Sequence, residues 1–154
     1  GGSYGRVDIM STKLLIGLDG HSSGERALAY GEEMACQVGG CELLVVYVIE
    51  WSPYSFQTAE ENALRHKRRE EEIATAMERI VTPAVTRLTE AGLSASGMVR
   101  HGNVADTLNA IAVEEGATQI VVARSTEGGF TKRIFGSATA NLVMEASVPV
   151  TVVT

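Results

Sequence analysis

Runs of consecutive apolar residues recur along this chain, and segments with helical periodicity separate them. A strand that is apolar at every position, rather than at every second one, is buried on both of its faces, as strands are in a parallel sheet. Parallel neighbours require a crossover connection, which is right-handed and is usually an α-helix. The pattern therefore predicts an α/β domain in which strands and helices alternate.

Five strands and four helical segments account for most of the chain. The strands are predicted at residues 13–18, 43–49, 93–100, 119–123 and 150–153. The helices are predicted at residues 23–38, 59–91, 104–115 and 136–146, with a glycine-containing loop at 124–135. Ser22 and Ser23 are suitable N-cap residues for the first helix, and Pro83 should kink or restart the long second one.

The fold class that follows is a doubly wound, five-stranded parallel sheet in the order 3-2-1-4-5, with helices on both faces. The third strand is the least apolar, which places it at an edge of the sheet. Sheets of this Rossmann-like kind, which adenine-nucleotide hydrolases share, bind ligands beyond the carboxyl ends of the strands, where strand order reverses. We therefore expect a ligand crevice beside the first and fourth strands.

The charge of the chain argues against polyanionic partners. The formal net charge is -6, and an acidic surface repels nucleic acid and anionic membranes. One basic run ends at Arg69, but acidic residues follow it directly. Lys67 precedes Glu71 by four residues, as Arg68 precedes Glu72, so these side chains pair along a helix surface. We interpret the run as a solvated helix face, with neither nucleic acid nor membrane as a partner.

Cysteine usage and the absence of long apolar segments predict a cytoplasmic protein. Cys36 and Cys41 do not form a CxxC pair, and no second cluster completes a zinc site, so we expect two reduced thiols. The alternative is a disulfide or redox role. No segment reaches the ~18 consecutive apolar residues of a membrane span, and no signal-peptide core is present. Residues 1–9 resemble a remnant of an expression tag, with Met10 as the natural start. We expect a single domain over residues 10–154.

Three segments at the carboxyl ends of predicted strands carry the chemistry expected of a ligand site. They are residues 17–20, 48–50 and 122–137. Asp19 is placed to accept hydrogen bonds from an amine or a ribose hydroxyl, and equally well to begin a helix as a turn residue. Gly136 and Ser137, predicted to open the last helix near Lys132 and Arg133, would form a phosphate cradle. The alternative is an ordinary flexible loop before a helix.

Several of these segments resemble the universal stress protein family, and the resemblance extends from about residue 13 to residue 153. The matching segments are residues 14–20, 25–28 and 116–122, together with Gly136-Ser137 and the stretch that continues to residue 150. Each segment alone is a weak signal, but their order and spacing together are fairly specific. The resemblance implies the same doubly wound fold and an adenine-nucleotide pocket.

The phosphate-binding motif of the family is only partly present. ATP-binding members carry Gly, two residues, Gly, nine residues, then Gly-Ser or Gly-Thr. Ala123 and Thr126 replace the first two glycines, whereas Gly136-Ser137 is intact. A β-branched residue such as Thr126 is strongly disfavoured at positive φ, and Glu127 adds negative charge where phosphates would lie. The resemblance therefore implies a degraded pocket that binds ATP or AMP weakly and requires neither as a cofactor.

The resemblance also assigns the remaining site residues and a partner. The complete set of predicted nucleotide-binding residues is Gly17, Asp19, Val48, Val122, Ala123, Thr126, Gly136, Ser137 and Ala138. Members of the family form dimers through antiparallel pairing of their last strands. The last strand here, residues 150–153, is short, β-branched and uncharged, and such an edge invites pairing. We therefore expect a homodimer.

The function predicted from the sequence is a non-catalytic regulatory or stress-response homodimer with weak nucleotide binding. The alternative is an ATP- or AMP-binding sensor with slow hydrolysis. An ATP pyrophosphatase would need a Ser-Gly-Gly-x-Asp-Ser loop after the first strand, which this chain lacks. His21, His66 and His101 lack metal-ligand spacing, and no catalytic set is apparent. The aromatic loop with Trp51, Tyr54 and Phe56 either covers the pocket or packs on its own domain.

Overall fold

A computed structural model describes residues 12–20, 23–50, 59–124 and 131–154, with the backbone alone from 131 to 137. Its strands are β1 (Thr12–Leu18), β2 (Cys41–Glu50), β3 (Ser94–Gly102), β4 (Gln119–Ala123) and β5 (Val150–Val153). Its α-helices are α1 (Ser23–Val38), α2 (Ala59–Ala76), α3 (Thr82–Glu90), α4 (Val104–Glu115) and α5 (Thr131–Glu145). A π-helical segment, Met77–Val81, joins α2 to α3.

The five strands form one parallel sheet in the order β3-β2-β1-β4-β5, which confirms the predicted topology. β1 lies at the centre, where Ile16 is opposite Val45 on one side and Val121 on the other. β3 forms an edge, as its lower apolar content indicated. Strand order reverses between β1 and β4, which is the point where the sequence predicts a ligand crevice.

Alternate residues of β1 enter two separate cores, one on each face of the sheet. Leu14, Ile16 and Leu18 face α1, the π segment and α3, in what we call the first core. Leu15 faces α4 and α5 in the second core, where Leu142 is among the buried residues. Because successive side chains of a strand point to opposite faces, each strand end offers different residues to the two sides of the sheet.

The helical stretch predicted at 59–91 restarts close to Pro83, as expected. Proline has no N–H to donate to the carbonyl four residues earlier, which belongs to Arg79, and its ring would clash with that group. The structure resolves the conflict with wider π-helical turns, in which the Thr82 N–H donates to the Met77 carbonyl. Pro83 then lies in the first turn of α3, where a missing N–H is tolerated.

The predicted start of the last helix was wrong. The sequence placed it at Gly136, whereas α5 begins at Thr131. An interior glycine costs a helix only about 1 kcal/mol relative to alanine, so the helix continues through this position. Gly136 and Ser137 therefore lie in the second turn, where backbone N–H groups normally donate to carbonyls of the preceding turn.

The polar helix α2 carries the basic run on an exposed surface. Its one buried residue in the described chain is Ala76, at its carboxyl end. His66 contacts Glu70 at 3.2 Å, four residues along the helix. Nowhere in the described ranges does a helix combine the length and the apolar character needed to cross a membrane.

Candidate functional site

The carboxyl ends of β1, β2 and β4 lie side by side, so the strand-end residues of the three predicted site segments meet at the centre of the sheet. Gly17 is opposite Val46 in β2, and Val48 follows two residues later. On the other side, Ile16 is opposite Val121, which brings Val122 next to Gly17.

Gly17, Val48 and Val122 all face the second core. Val48 is 7% exposed and Val122 is 1% exposed. A Cβ atom at Gly17 would lie 3.1 Å from Cγ1 of Val122 and 3.1 Å from Cδ1 of Leu108, which belongs to α4. Glycine is thus required by close packing rather than by an unusual φ. The three residues form a closely packed apolar floor at the strand ends, and its contact with a planar base stays a prediction.

Asp19 ends β1 and is held by the first turn of α1. The hydroxyl of Ser23, which is fully buried, donates to Oδ2 of Asp19. Gly24 is also close, since a Cβ atom there would lie 3.4 Å from Oδ1. The structure therefore shows the turn role of this carboxylate. Its role as a ligand for a base or a ribose stays a prediction.

The phosphate side of the crevice is less complete. Ala123 is the last residue of β4 and is 2% exposed. The next residue, Arg124, donates its N–H to Val153 and accepts a hydrogen bond from the Arg26 guanidinium at its carbonyl, which fixes the exit of the chain from the sheet. Thr126 and Glu127 lie outside the described residues.

The third part of the motif lies within α5. Gly136 and Ser137 belong to its second turn, and Ala138, which follows them, is half-buried. The structure therefore brings the base-side residues together at the sheet. It does not place the intact Gly-Ser pair at a free helix N-terminus, which is where a phosphate group would be held best.

Two residues close to the site were not identified from the sequence. Leu108 was visible only as one apolar position of the helix at 104–115, and nothing marked it as a neighbour of Gly17. Arg26 reaches the carbonyl of Arg124, which is 98 residues away in the sequence, so no local pattern could reveal the contact.

Tyr47 marks the opposite face of the same strand ends. A Cβ atom at Gly20, whose φ is +80°, would lie 3.3 Å from Cε1 of the tyrosine ring. Burial raises the pKa of Tyr47 above its usual value, and the negative charges of Asp19 and Glu50 raise the pKa further. The phenol is therefore un-ionised at neutral pH and remains a hydrogen-bond donor.

His66 and His101, the histidines of the described chain, each contact one glutamate side chain. His101 lies in β3 and is nearly buried, and its Nε2 atom is 2.9 Å from Oε1 of Glu72 in α2. No group of three or more metal-ligating side chains occurs among the described residues. His21 lies outside them.

Comparison with solved structures shows the same fold in universal stress proteins. UspA from Lactobacillus plantarum is 17% identical with a TM-score of 0.75, over 93% of this chain and 97% of that one. A universal stress protein in complex with cAMP is 21% identical with a TM-score of 0.66, over 93% and 97%. The Archaeoglobus fulgidus protein in complex with dAMP is 19% identical with a TM-score of 0.57, over 94% and 99%.

Sequence comparison gives a family but no individual relative. The model of the universal stress protein family matches residues 10–154. No curated protein matches the chain.

Proposed function

The chain belongs to the universal stress protein family, and from that membership we propose that it is a non-catalytic regulatory or stress-response protein with a weak adenine-nucleotide site. The observation that carries this proposal is the apolar floor of Gly17, Val48 and Val122 next to Asp19. We place this function in a single cytoplasmic domain over residues 10–154. The free thiols of Cys36 and Cys41 suit a reducing compartment.

The base end of the crevice supports adenine binding. Adenine offers a flat apolar face and an exocyclic amine, and the floor with the Asp19 carboxylate complements both. Two structurally similar proteins are described as complexes with cAMP and dAMP, which are adenine nucleotides with one phosphate. This likeness fits a site in which recognition of the base dominates over recognition of phosphate.

The phosphate end supports weak binding. A triphosphate needs several backbone amides directed at it, and glycines let the backbone approach that closely. Ala123 is packed into the end of β4, and Gly136 lies inside a helix that has already begun. In the sequence between these two positions, Thr126 is a poor substitute for glycine, and Glu127 adds a negative charge.

We expect ATP to bind with a dissociation constant above roughly 10 µM, which corresponds to less than about 7 kcal/mol of binding free energy. AMP should bind at least as well, because the site offers little to the second and third phosphates. Isothermal titration calorimetry with both nucleotides measures this directly. Submicromolar ATP binding would contradict the proposal, and steady phosphate release from ATP would favour the slowly hydrolysing sensor instead.

A loop variant and a matched control test how much the residues after β4 contribute to ATP binding. Ala123→Gly combined with Thr126→Gly restores the family pattern and should tighten ATP binding while leaving AMP binding nearly unchanged. Ala91→Gly adds a glycine at the exposed end of α3 and serves as the control. If the double variant gains nothing and the unmodified protein binds no AMP, the crevice is vestigial and the nucleotide proposal is wrong.

We also propose that the protein is a homodimer that pairs through β5. In the described sheet, β5 has a neighbour on one side only. The carbonyls of Pro149 and Val153 accept from β4, so by strand alternation the main-chain groups of Val152 point to the open edge. Val143 and Met144, at the end of α5, are 54% and 84% exposed apolar residues.

Val152→Pro should convert the dimer to a monomer, because it removes an N–H from the open edge but not from the ladder with β4. Val152→Ala keeps the N–H and loses most of the side chain, so it should remain dimeric. Light scattering at ~50 µM protein distinguishes the two states, since this concentration is far above a nanomolar dissociation constant. A monomeric unmodified protein, or dimeric Val152→Pro, would count against pairing through β5.

A further inference from the structure

A second groove lies on the opposite face of the sheet from the nucleotide crevice. It consists of two adjoining cavities of about 230 Å³ and 360 Å³, and the π-helical residues Arg79 and Ile80 line both. The smaller cavity lies between the end of β1, α1 and α3, and the larger one between β2 and α2. The volume of the larger cavity by itself lies within the range of about 300–1,000 Å³ that is typical of small-molecule sites.

The groove and the crevice are separated by the sheet itself. Leu18 and Tyr47 line the groove, whereas Gly17 and Val48, their chain neighbours, face the second core. A ligand in the groove therefore does not touch the apolar floor of the nucleotide site. Among the described residues, the two sites approach each other at the turn after β1, where Gly20 lies against Tyr47.

The groove is open because small residues and the π turns keep its walls apart. Gly24 of α1 and Ala84 of α3 leave the smaller cavity unfilled, and Ala76 does the same in the larger one. The π segment, which directly precedes the turn with Pro83, sets Arg79 and Ile80 at the junction. Such single π turns inside α-helices are frequent at functional sites.

The charges along the groove leave one cation available. Arg87 is occupied, because its guanidinium contacts Glu25 at 2.6 Å and Glu32 at 3.1 Å. Arg79 has neither a hydrogen bond nor an ion pair with any residue in the described ranges. A guanidinium without a carboxylate, next to the apolar surface of Ile80, suits an anionic head group on an apolar body.

The far end of the groove limits the charge of the ligand. Glu71 and Glu72 line the larger cavity, about two helical turns from Arg79. A second negative charge on the ligand would be repelled there, whereas an apolar body would rest on Tyr47 and Ile49. From this arrangement we propose that the groove binds a small amphiphilic monoanion, with its acidic group on Arg79 and its apolar or aromatic body over Tyr47.

Two fluorescent probes test the proposal, since they share one aromatic body and differ in charge. The first is 8-anilinonaphthalene-1-sulfonate, which carries a single sulfonate, and the second is N-phenyl-1-naphthylamine, which carries none. Arg79→Gln should weaken binding of the sulfonate by about tenfold, or 1.4 kcal/mol, and leave the uncharged probe nearly unchanged. Arg68→Gln, at an exposed arginine of α2 outside the groove, is the matched control.

A second variant tests the location of the apolar body. Thr75 is exposed and lines the larger cavity, so Thr75→Trp should fill it and displace both probes. Near-ultraviolet circular dichroism shows that each variant keeps native packing. Displacement of the sulfonate by AMP would assign the probe to the nucleotide crevice and overturn the proposal. Equal binding to the unmodified protein, Arg79→Gln and Thr75→Trp would overturn it too.

Discussion

Replacing Gly97 with alanine should lower the free energy of unfolding by about 2 kcal/mol, in the range typical of overpacked cores. A Cβ atom at this position in β3 would lie 2.3 Å from Cγ1 of Val81 and 3.0 Å from Cγ2 of Val85. Valine in a helix has one strongly preferred rotamer, so neither side chain can turn away. The backbone of the π segment and α3 must move instead.

Urea denaturation of Gly97→Ala and of the unmodified protein measures the difference in their free energies of unfolding. Ser96→Ala, at an exposed position of the same strand, should change stability by no more than about 0.5 kcal/mol. The effect of Gly97→Ala should also shrink when Val81 has been replaced by alanine, because the methyl group that lies closest to the added Cβ is then absent. An equal loss in both backgrounds would show that the clash is not the cause.

Leu108→Ala should lower the free energy of unfolding further, by about 3 kcal/mol, because it leaves a cavity in a closely packed core. Leu108 is 2% exposed in the second core, and both of its methyl groups approach Gly17. Gly17 has no side chain to move into the space, and Val122 is held in the sheet. The surroundings can therefore collapse only slightly around the missing atoms.

Leu142→Ala is the matched control for this variant. Leu142 is 1% exposed in the same core, so its truncation should be similarly destabilising in a urea titration. Leu108 lies against Gly17 of the proposed adenine floor, so AMP binding should weaken more in Leu108→Ala than in Leu142→Ala. Equal AMP affinities in the two variants would show that Leu108 does not form the wall of the nucleotide site.

The sequence predicted the sheet correctly because each strand carries its own signal. The continuous apolar runs indicated burial on both faces, and the weaker third strand identified an edge. Helix ends were predictable where a specific contact sets them. Asn103 accepts a hydrogen bond from the Asp106 N–H at the start of α4, and Gly116 ends this helix at a φ of 70°.

The parts that the sequence did not predict depend on contacts between distant segments. Gly136 resembles a helix start, but the residues before it are compatible with a helix, and local preference alone does not decide between the two. Pro83 indicated an interruption without indicating π turns. The groove at Arg79 needs side chains from two strands and three helices, so it becomes visible only when the chain is folded.

The central position of β1 has a consequence for biosynthesis. One of its edges is completed only by β4, and the hydrogen bond from the Thr118 N–H to the Lys13 carbonyl spans 105 residues. Contacts this distant in sequence slow folding, because a long loop must close before they form. At ribosomal rates of about 5–20 residues per second, β1 is synthesised roughly 5–20 s before its second neighbour. During that interval the backbone N–H and C=O groups on this edge of β1 are unpaired and open to other nascent chains, so β1 is the strand that a chaperone would protect.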